Sequence, residues 1–319
     1  MWGTYIQRMT GLNSNIFANT ATERQWIYVT KRFTAMQTNL ALTSEQIEDG
    51  KTKLKGVISS VNRSYRDDSE VGYYILAGSW GKDTAIQPPN DIDVFVVLPD
   101  EVFHRFNIRQ GNVQSQLLQE VRTNLTGTYP QTQMRGDGQV VIVGFNSVVV
   151  EVVPAFNAQG GGWIIADTNG GGSWKHVNPI AEIGALDLAD AALNSNVKKI
   201  TKIMKQWKRH CNVPIKSFHI EQLVQEALTN LDWGKNSEFW FDWIVRDVFA
   251  HMYGRAGGGF YIQGGYNEWI SLGDAWQSKV LTAHERASKA CGFERANLNL
   301  SAGAEWQKIF GEMIPEQVT

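Results

Sequence analysis

Apolar residues fall at helical intervals through TSEQIEDGKTKLKGVISSVNRSYR, where Ile47, Leu54, Val57, Ile58 and Val61 share a face and Thr43 and Gln46 have capping-box spacing. The pattern predicts a helix from Thr43 long enough to brace two lobes. Just before it, ERQWIYVTKRFTAMQTNL predicts another helix, whereas residues 1–20 carry no usable pattern. Between residues 71 and 166 the period changes: VGYYILAG, DIDVFVVLP, QVVIVGF, SVVVEVVPAF and GGWIIAD read as strands, with one helix near 111–125. Beyond the glycine-rich DTNGGGSWKHVNP, helical spacing returns in ALNSNVKKITKIMKQWKRH, SFHIEQLVQEALTNL, SEFWFDWIVRDVFAHMYG and DAWQSKVLTAHERASKACG. The predicted fold class is α+β, with N-terminal helices and a sheet lobe over residues 1–178 and a helical lobe over 179–319.

A chain of 319 residues that is 43% hydrophobic and 19% charged can bury a substantial core. Its formal net charge of -2 argues against diffuse electrostatic binding of long nucleic acid, which wants a basic surface. Any phosphate chemistry must therefore use locally placed lysines. Cys211 and Cys291 have neither CxxC nor zinc-site spacing and read as reduced packing residues. The opening MWGTYIQR has no signal-peptide pattern and no stretch reaches membrane-span length, so the expectation is a cytoplasmic protein with no membrane partner.

Three carboxylates carry the candidate chemistry. Asp91 and Asp93 open a strand, and alternation sends both to one face while Ile92 points to the core. Such a pair suits magnesium, which takes oxygen ligands and shares its shell with substrate phosphates. Alone, Asp-x-Asp is also a common solvated strand end. Gly78-Ser79 precedes it after the strand YYILAG and before a predicted short helix, WGKDTAI; the glycine admits a polyphosphate close to the backbone and Ser79 adds a hydroxyl donor. By itself Gly-Ser is simply a turn. Glu151 interrupts the apolar strand SVVVEVVPAF, where it either faces solvent or joins the aspartates to hold two cations.

The series AGSWGKDTAI, NDIDVFVVLP and VVVEVVPAF resembles the polymerase-beta-type nucleotidyltransferase signature, and within it the bacterial cGAS/DncV-like nucleotidyltransferases (CD-NTases). The likeness continues through DTNGGGSWKHVNP, MKQWKRH, IKSFHIEQL and WQKIFGEMIP, over roughly residues 45 to 315. It implies a polymerase-beta-like sheet lobe and a helical lobe completing the nucleotide cleft, joined by the long N-terminal helix. It also implies Asp91, Asp93 and Glu151 as catalytic metal ligands, with Mg2+ as cofactor and Mn2+ able to substitute. The chain departs from the pattern twice: Asp83 stands where a second glycine is usual, and Glu151 where aspartate is commoner.

In the helical lobe Lys198 and Lys202 lie one turn apart, with Lys199 and Lys205 at the edges of their face. Such a row is equally a solvated helix face; the resemblance places it over the triphosphate. Ser217 and Phe218 begin the next predicted helix, and the resemblance assigns them to the donor nucleotide with the ring stacking on its base. From the residues alone, Ser217 is a helix cap and Phe218 a core ring. His176 and His219 are given no role. The segment GRAGGGFYIQGGYNEW, with Phe260, Tyr261, Tyr266 and Trp269, reads either as a mobile lid or acceptor-base platform or as a surface clasp.

The expected function is synthesis of a cyclic di- or trinucleotide messenger from ATP and other nucleoside triphosphates, with release of pyrophosphate. In bacteria it fits anti-phage signalling (CBASS), with a downstream effector acting through the product and regulatory proteins encoded in the same operon. The alternatives are a linear oligoadenylate synthase or tRNA-end nucleotidyltransferase, and an inactive nucleotide-binding sensor.

Overall fold

The computed structural model describes residues 26–67, 70–262 and 268–319. Residues 23–25 of the first predicted helix and Tyr266 lie outside these. The described part of that helix, α1, spans Tyr28–Leu40 and buries Val29, Arg32, Phe33, Met36 and Leu40. Next, α2 spans Ser44–Arg66 from the predicted box: the Thr43 hydroxyl accepts from the Gln46 N–H and the Gln46 side chain from the Thr43 N–H.

The sheet follows. Strand β1 (Tyr74–Leu76) leads through a one-turn helix, α3 (Gly78–Gly81), to β2 (Asp91–Val97). Two helices, α4 (Asp100–Asn107) and α5 (Val113–Thr128), precede β3 (Gln133–Asp137) and β4 (Val140–Gly144). Then come β5 (Val149–Asn157), β6 (Trp163–Asp167) and β7 (Ser173–Val177). The order is β1-β2-β5-β4-β3, with β6 on the far end of β5 and β7 beyond it. Of these pairs only β2 with β5 is parallel. One face of the sheet is apolar because Ile92, Val94, Val96, Val141, Val143, Val150 and Val152 alternate onto it, and α2, α4 and α5 cover it with Leu54, Val57, Ile58, Phe106, Leu117 and Val121. A smaller cluster of Val153, Ala155 and Ile165 sits on the opposite face.

Five helices dominate the C-terminal half after α6 (Pro179–Ala192): α7 (Asn196–His210), α8 (Ser217–Asn230), α9 (Phe241–Arg255), α10 (Gln277–Arg295) and α11 (Asn299–Phe310). Two short strands, β8 (Gly259–Tyr261) and β9 (Trp269–Ser271), pair between α9 and α10. None of the described helices is long and apolar enough to cross a membrane.

The chain divides into two compact units: a sheet unit of Ala41–Leu188 with Tyr261–Ile270, and a helical unit of the described residues through Leu40 with Ala189–Phe260 and Ser271–Thr319. This places α1 with the C-terminal helices, unlike a cut at 178/179. Packing explains it, since Phe33 meets Phe241 and Trp306 edge-on at 6.1 and 5.2 Å. Beside it Arg32, with no exposed surface, donates to Glu294 at 2.8 Å, to the Asn299 side chain, and to the carbonyls of Asn299, Pro315 and Glu316.

Removing one member of a buried ion pair strands the other charge. Arg32→Ala should therefore lower the stability of the helical unit by about 3–5 kcal/mol, whereas Arg32→Met with Glu294→Leu should cost less. Urea midpoints of the two variants check this; a single variant no worse than the double would contradict it.

Candidate active site

The start of β2 is set by its ladder. In the parallel pairing Asp91 lies beside Val149, Ile92 beside Val150 and Asp93 beside Glu151. Ile92 and Val150 are buried, so Asp91, Asp93 and Glu151 share the other face, with Asp93 and Glu151 one strand spacing apart, about 4.8 Å between backbones. The turn before β5 is tied to α2 by the Ser147 hydroxyl, which donates to Asp49 at 2.6 Å.

The Gly78-Ser79 turn closes over this edge. The Ala77 N–H bonds to the Asp93 carbonyl at 2.9 Å, and Gly78 takes a φ of 52° so close to the Asp93 side chain that an added Cβ would stand 1.7 Å from its Oδ2. Gly81 N–H to Ala77 O, Lys82 N–H to Gly78 O and Thr84 N–H to Ser79 O complete the turn. The helix is therefore GSWG rather than the predicted WGKDTAI, because the chain turns left-handed at Asp83, φ 51°. A glycine would take that conformation without strain, and aspartate is among the few other residues that tolerate it.

Burial holds the Glu151 carboxyl above the ordinary glutamate range; the charges of Asp91 and Asp137 push the same way and Arg135 opposes them. Arg135 and Asp137 come from β3, and register puts Arg135, Ile142, Glu151 and Asp93 in one row across the sheet. Nothing in the sequence marks these two residues, because QMRGD has no apolar alternation to signal a strand. Among the described residues no three acidic, histidine or cysteine side chains converge on one metal position. The donor chemistry nevertheless fits a hard cation: Asp91 and Glu151 are half-buried, all three groups offer oxygen, and neither of these two side chains has a hydrogen-bond or ion-pair partner among the described residues.

Lys198, Lys202, Ser217 and Phe218 lie in the helical unit. Lys198 and Lys202 are half-buried on α7. On the same helix Lys199 Nζ meets Glu238 at 2.7 Å, and Lys205, only 7% exposed in its side chain, meets Glu221 at 2.7 Å. Lys205, placed at the edge of the 198–202 face by spacing, follows Lys202 by three residues and is the buried one. Ser217 is not the cap of α8; that position is Lys216, and the Ser217 hydroxyl instead accepts from Lys208 Nζ at 3.0 Å. Phe218 is half-buried, its ring 5.6 Å from that of Phe260. His219 is buried and held neutral-favouring by burial and by Lys216 and Lys208. Tyr261 and Trp269 meet edge-on at 5.0 Å. Cys211 and Cys291 are both free thiols, as expected.

The sheet carries its acidic residues on adjacent parallel strands, beside the Gly78-Ser79 turn, in a fold shared with solved nucleotide-bound structures. Residues 27–189, more than half of the chain, match the Second Messenger Oligonucleotide or Dinucleotide Synthetase domain, and the chain belongs to this family, among the CD-NTases. Among solved structures it is similar to E. coli MS115-1 CdnC with ATP, at TM-score 0.62 and 17% identity over 90% of this chain and 98% of that one. The E. coli MS115-1 CdnC:HORMA-deltaN complex gives 0.59 and 18%, over 92% and 99%. Vibrio cholerae DncV cyclic AMP-GMP synthase, in complex with the linear intermediate 5' pppA(3',5')pG, gives 0.62 and 14%, over 95% and 92%. At these identities the likeness speaks for the fold. No curated protein matches the chain.

Because the Glu151 pKa is raised on folding, the folded chain binds more protons than the unfolded one between the two pKa values, and Glu151 loses stability as pH rises through that window. Glu151→Gln should remove this loss and raise the metal-free melting temperature at neutral pH. The gain should vanish below pH 4. A variant melting below the parent at pH 7 in chelator would show that Glu151 is not under this electrostatic load.

Proposed function

We propose that this chain is a metal-dependent synthase of a cyclic oligonucleotide messenger, joining nucleoside triphosphates with release of pyrophosphate. The observation that carries the reading is the register of Asp93 beside Glu151, with Asp91 on the same face and the Gly78 turn against Asp93. Asp91, Asp93 and Glu151 would hold Mg2+, or Mn2+ in its place. When bound, the cations lower the pKa of the attacking hydroxyl and steady charge on the leaving oxygens.

The chain's own groups supply the rest. The turn amides and the Ser79 hydroxyl bind and orient the phosphate tail beside Gly78. Lys198 and Lys202 add positive charge for the triphosphate, Ser217 a hydroxyl, and Phe218 a flat face for a base. A ribose hydroxyl oxygen forms a bond to the α-phosphorus as the bond from that phosphorus to the bridging oxygen breaks; pyrophosphate leaves with the electron pair and Glu151 takes the hydroxyl proton. Repetition followed by attack of the terminal hydroxyl on the remaining 5' triphosphate closes the ring, favoured by high effective concentration. The DncV structure with a linear pppApG intermediate supports a stepwise route, and the CdnC:HORMA-deltaN complex supports association with a protein partner; the partner proposed for this chain is a regulatory protein of an anti-phage operon. The product then acts on a separate effector.

Incubation with the four labelled triphosphates and Mg2+ or Mn2+ should give a discrete species that resists alkaline phosphatase and is cut by phosphodiesterase. Asp91→Asn with Asp93→Asn should form none while keeping the parent melting temperature or exceeding it. A phosphatase-sensitive ladder would favour linear oligoadenylate synthesis, and no pyrophosphate under any condition an inactive sensor. Phe218→Ala should weaken binding of a non-hydrolysable ATP analogue by about 1–3 kcal/mol if the ring stacks on a base. Unchanged affinity in the folded variant would return the ring to packing.

A further inference from the structure

Gly50 occupies the interior of α2, where glycine is about 1 kcal/mol less favourable than alanine. Its surroundings account for it. A Cβ there would stand 2.5 Å from Cη2 and 3.0 Å from Cζ2 of Trp80, and 3.2 Å from Cδ1 of Ile92. Trp80 is the residue after Ser79 in the phosphate turn, and Ile92 separates Asp91 from Asp93. The notch at Gly50 is thus the place where the helix, the turn and the acidic strand meet.

We propose that Gly50 and Trp80 act together as a positioning pair that sets the Gly78-Ser79 turn against the Asp91–Asp93 strand, and so sets affinity for the triphosphate of the nucleotide donor. The inference rests on the function proposed above. Trp80 is held by shape: its indole N–H is buried without a hydrogen-bond partner, and the ring packs against the main core of the sheet unit. The turn has little room to absorb a displaced indole. Gly81 on its other side stands where a Cβ would come within 2.3 Å of the Leu76 carbonyl, and Gly78 is already against Asp93. The Ser79 and Trp80 carbonyls are tied to the N–H groups of Thr84 and Asp83 at 2.8 and 3.4 Å. A methyl group at position 50 therefore has to displace the outer ring of the indole, whose base is anchored in the turn that carries the Ser79 hydroxyl.

Glycine 56 provides a matched control on the same helix, because a Cβ there meets only the Tyr129 hydroxyl, at 2.6 Å, away from the turn. The test is affinity of the full chain for a non-hydrolysable ATP analogue with Mg2+, alongside KM and kcat for ATP and the melting temperature. Gly50→Ala should raise both Kd and KM about tenfold, a change of ~1.4 kcal/mol, with kcat nearly unchanged. Gly56→Ala should leave Kd at the parent value whatever it does to melting. Trp80→Phe, whose shorter ring vacates the notch, should weaken binding alone yet restore most of the affinity when combined with Gly50→Ala. Trp80→Leu gives the same comparison should Gly50→Ala not fold. Parent-like Kd in Gly50→Ala, or losses that add without rescue in the double variants, would overturn the pair. Failure of the parent chain to bind the analogue would overturn the function reading and this inference with it; parent binding with an indifferent Gly50→Ala would overturn the inference alone.

Discussion

A slip of one residue between β2 and β5 would leave the sheet hydrogen-bonded but carry one of its carboxylates to the wrong face, since side chains alternate with a period of two. The parallel register of Asp93 with Glu151 is therefore the constraint on which the site depends. It is enforced from below by Ile92, Val94, Val150 and Val152, all fully buried against α2, α4 and α5. Those valines and isoleucines act on the site without touching it: burying them in one register obliges the acids between them to face away. The same register explains the glycine at position 78, whose backbone approaches the Asp93 side chain more closely than any Cβ permits.

The cost of this arrangement is electrostatic. Asp91, Asp93 and Glu151 share one half-buried face, and at Glu151 burial and the charges of Asp91 and Asp137 are opposed by Arg135. A structure optimised for the stability of the bare chain would not gather them. A carboxyl loaded in this way is a feature of functional sites, and Glu151 is an oxygen donor suited to a hard divalent ion. In the helical unit the bias is opposite in sign but more nearly balanced, since Lys199 and Lys205 are already neutralised by Glu238 and Glu221.

Much of the frame was legible because the relevant signals are local. The Thr43–Gln46 box, the alternation of DIDVFVV and the apolar period of the late helices each specify their element without outside help. What escaped was whatever long-range packing decides. Strand β3 is an exposed, polar edge whose partner supplies the hydrogen bonds, and β7 follows three glycines that read as a linker. The same holds for α1: its apolar stripe predicted a helix but not that Arg32 would be buried in it, a fact fixed by Glu294 and the carbonyls of the C-terminal segment. Within the candidate site the acids were visible as interruptions in apolar strands, whereas the Gly50 notch depends on a residue thirty positions away.

The two departures from the family pattern show which features of the site are geometric and which are chemical. Asp83 keeps the left-handed backbone that glycine would supply, so the constraint at that position is a dihedral angle, and a side chain that tolerates the angle satisfies it. At position 151 the backbone is fixed by the ladder to Asp93 on one side and Ile142 on the other, and only the length of the side chain differs. One added methylene carries the carboxylate farther from the sheet and gives it another torsion to order, which costs rotamer entropy when a ligand fixes it. The longer arm also lets Glu151 move away from Asp91 when no countercharge is present. The backbone angle at Asp83 and the side-chain length at Glu151 thus act separately, and both are referred to the same strand register.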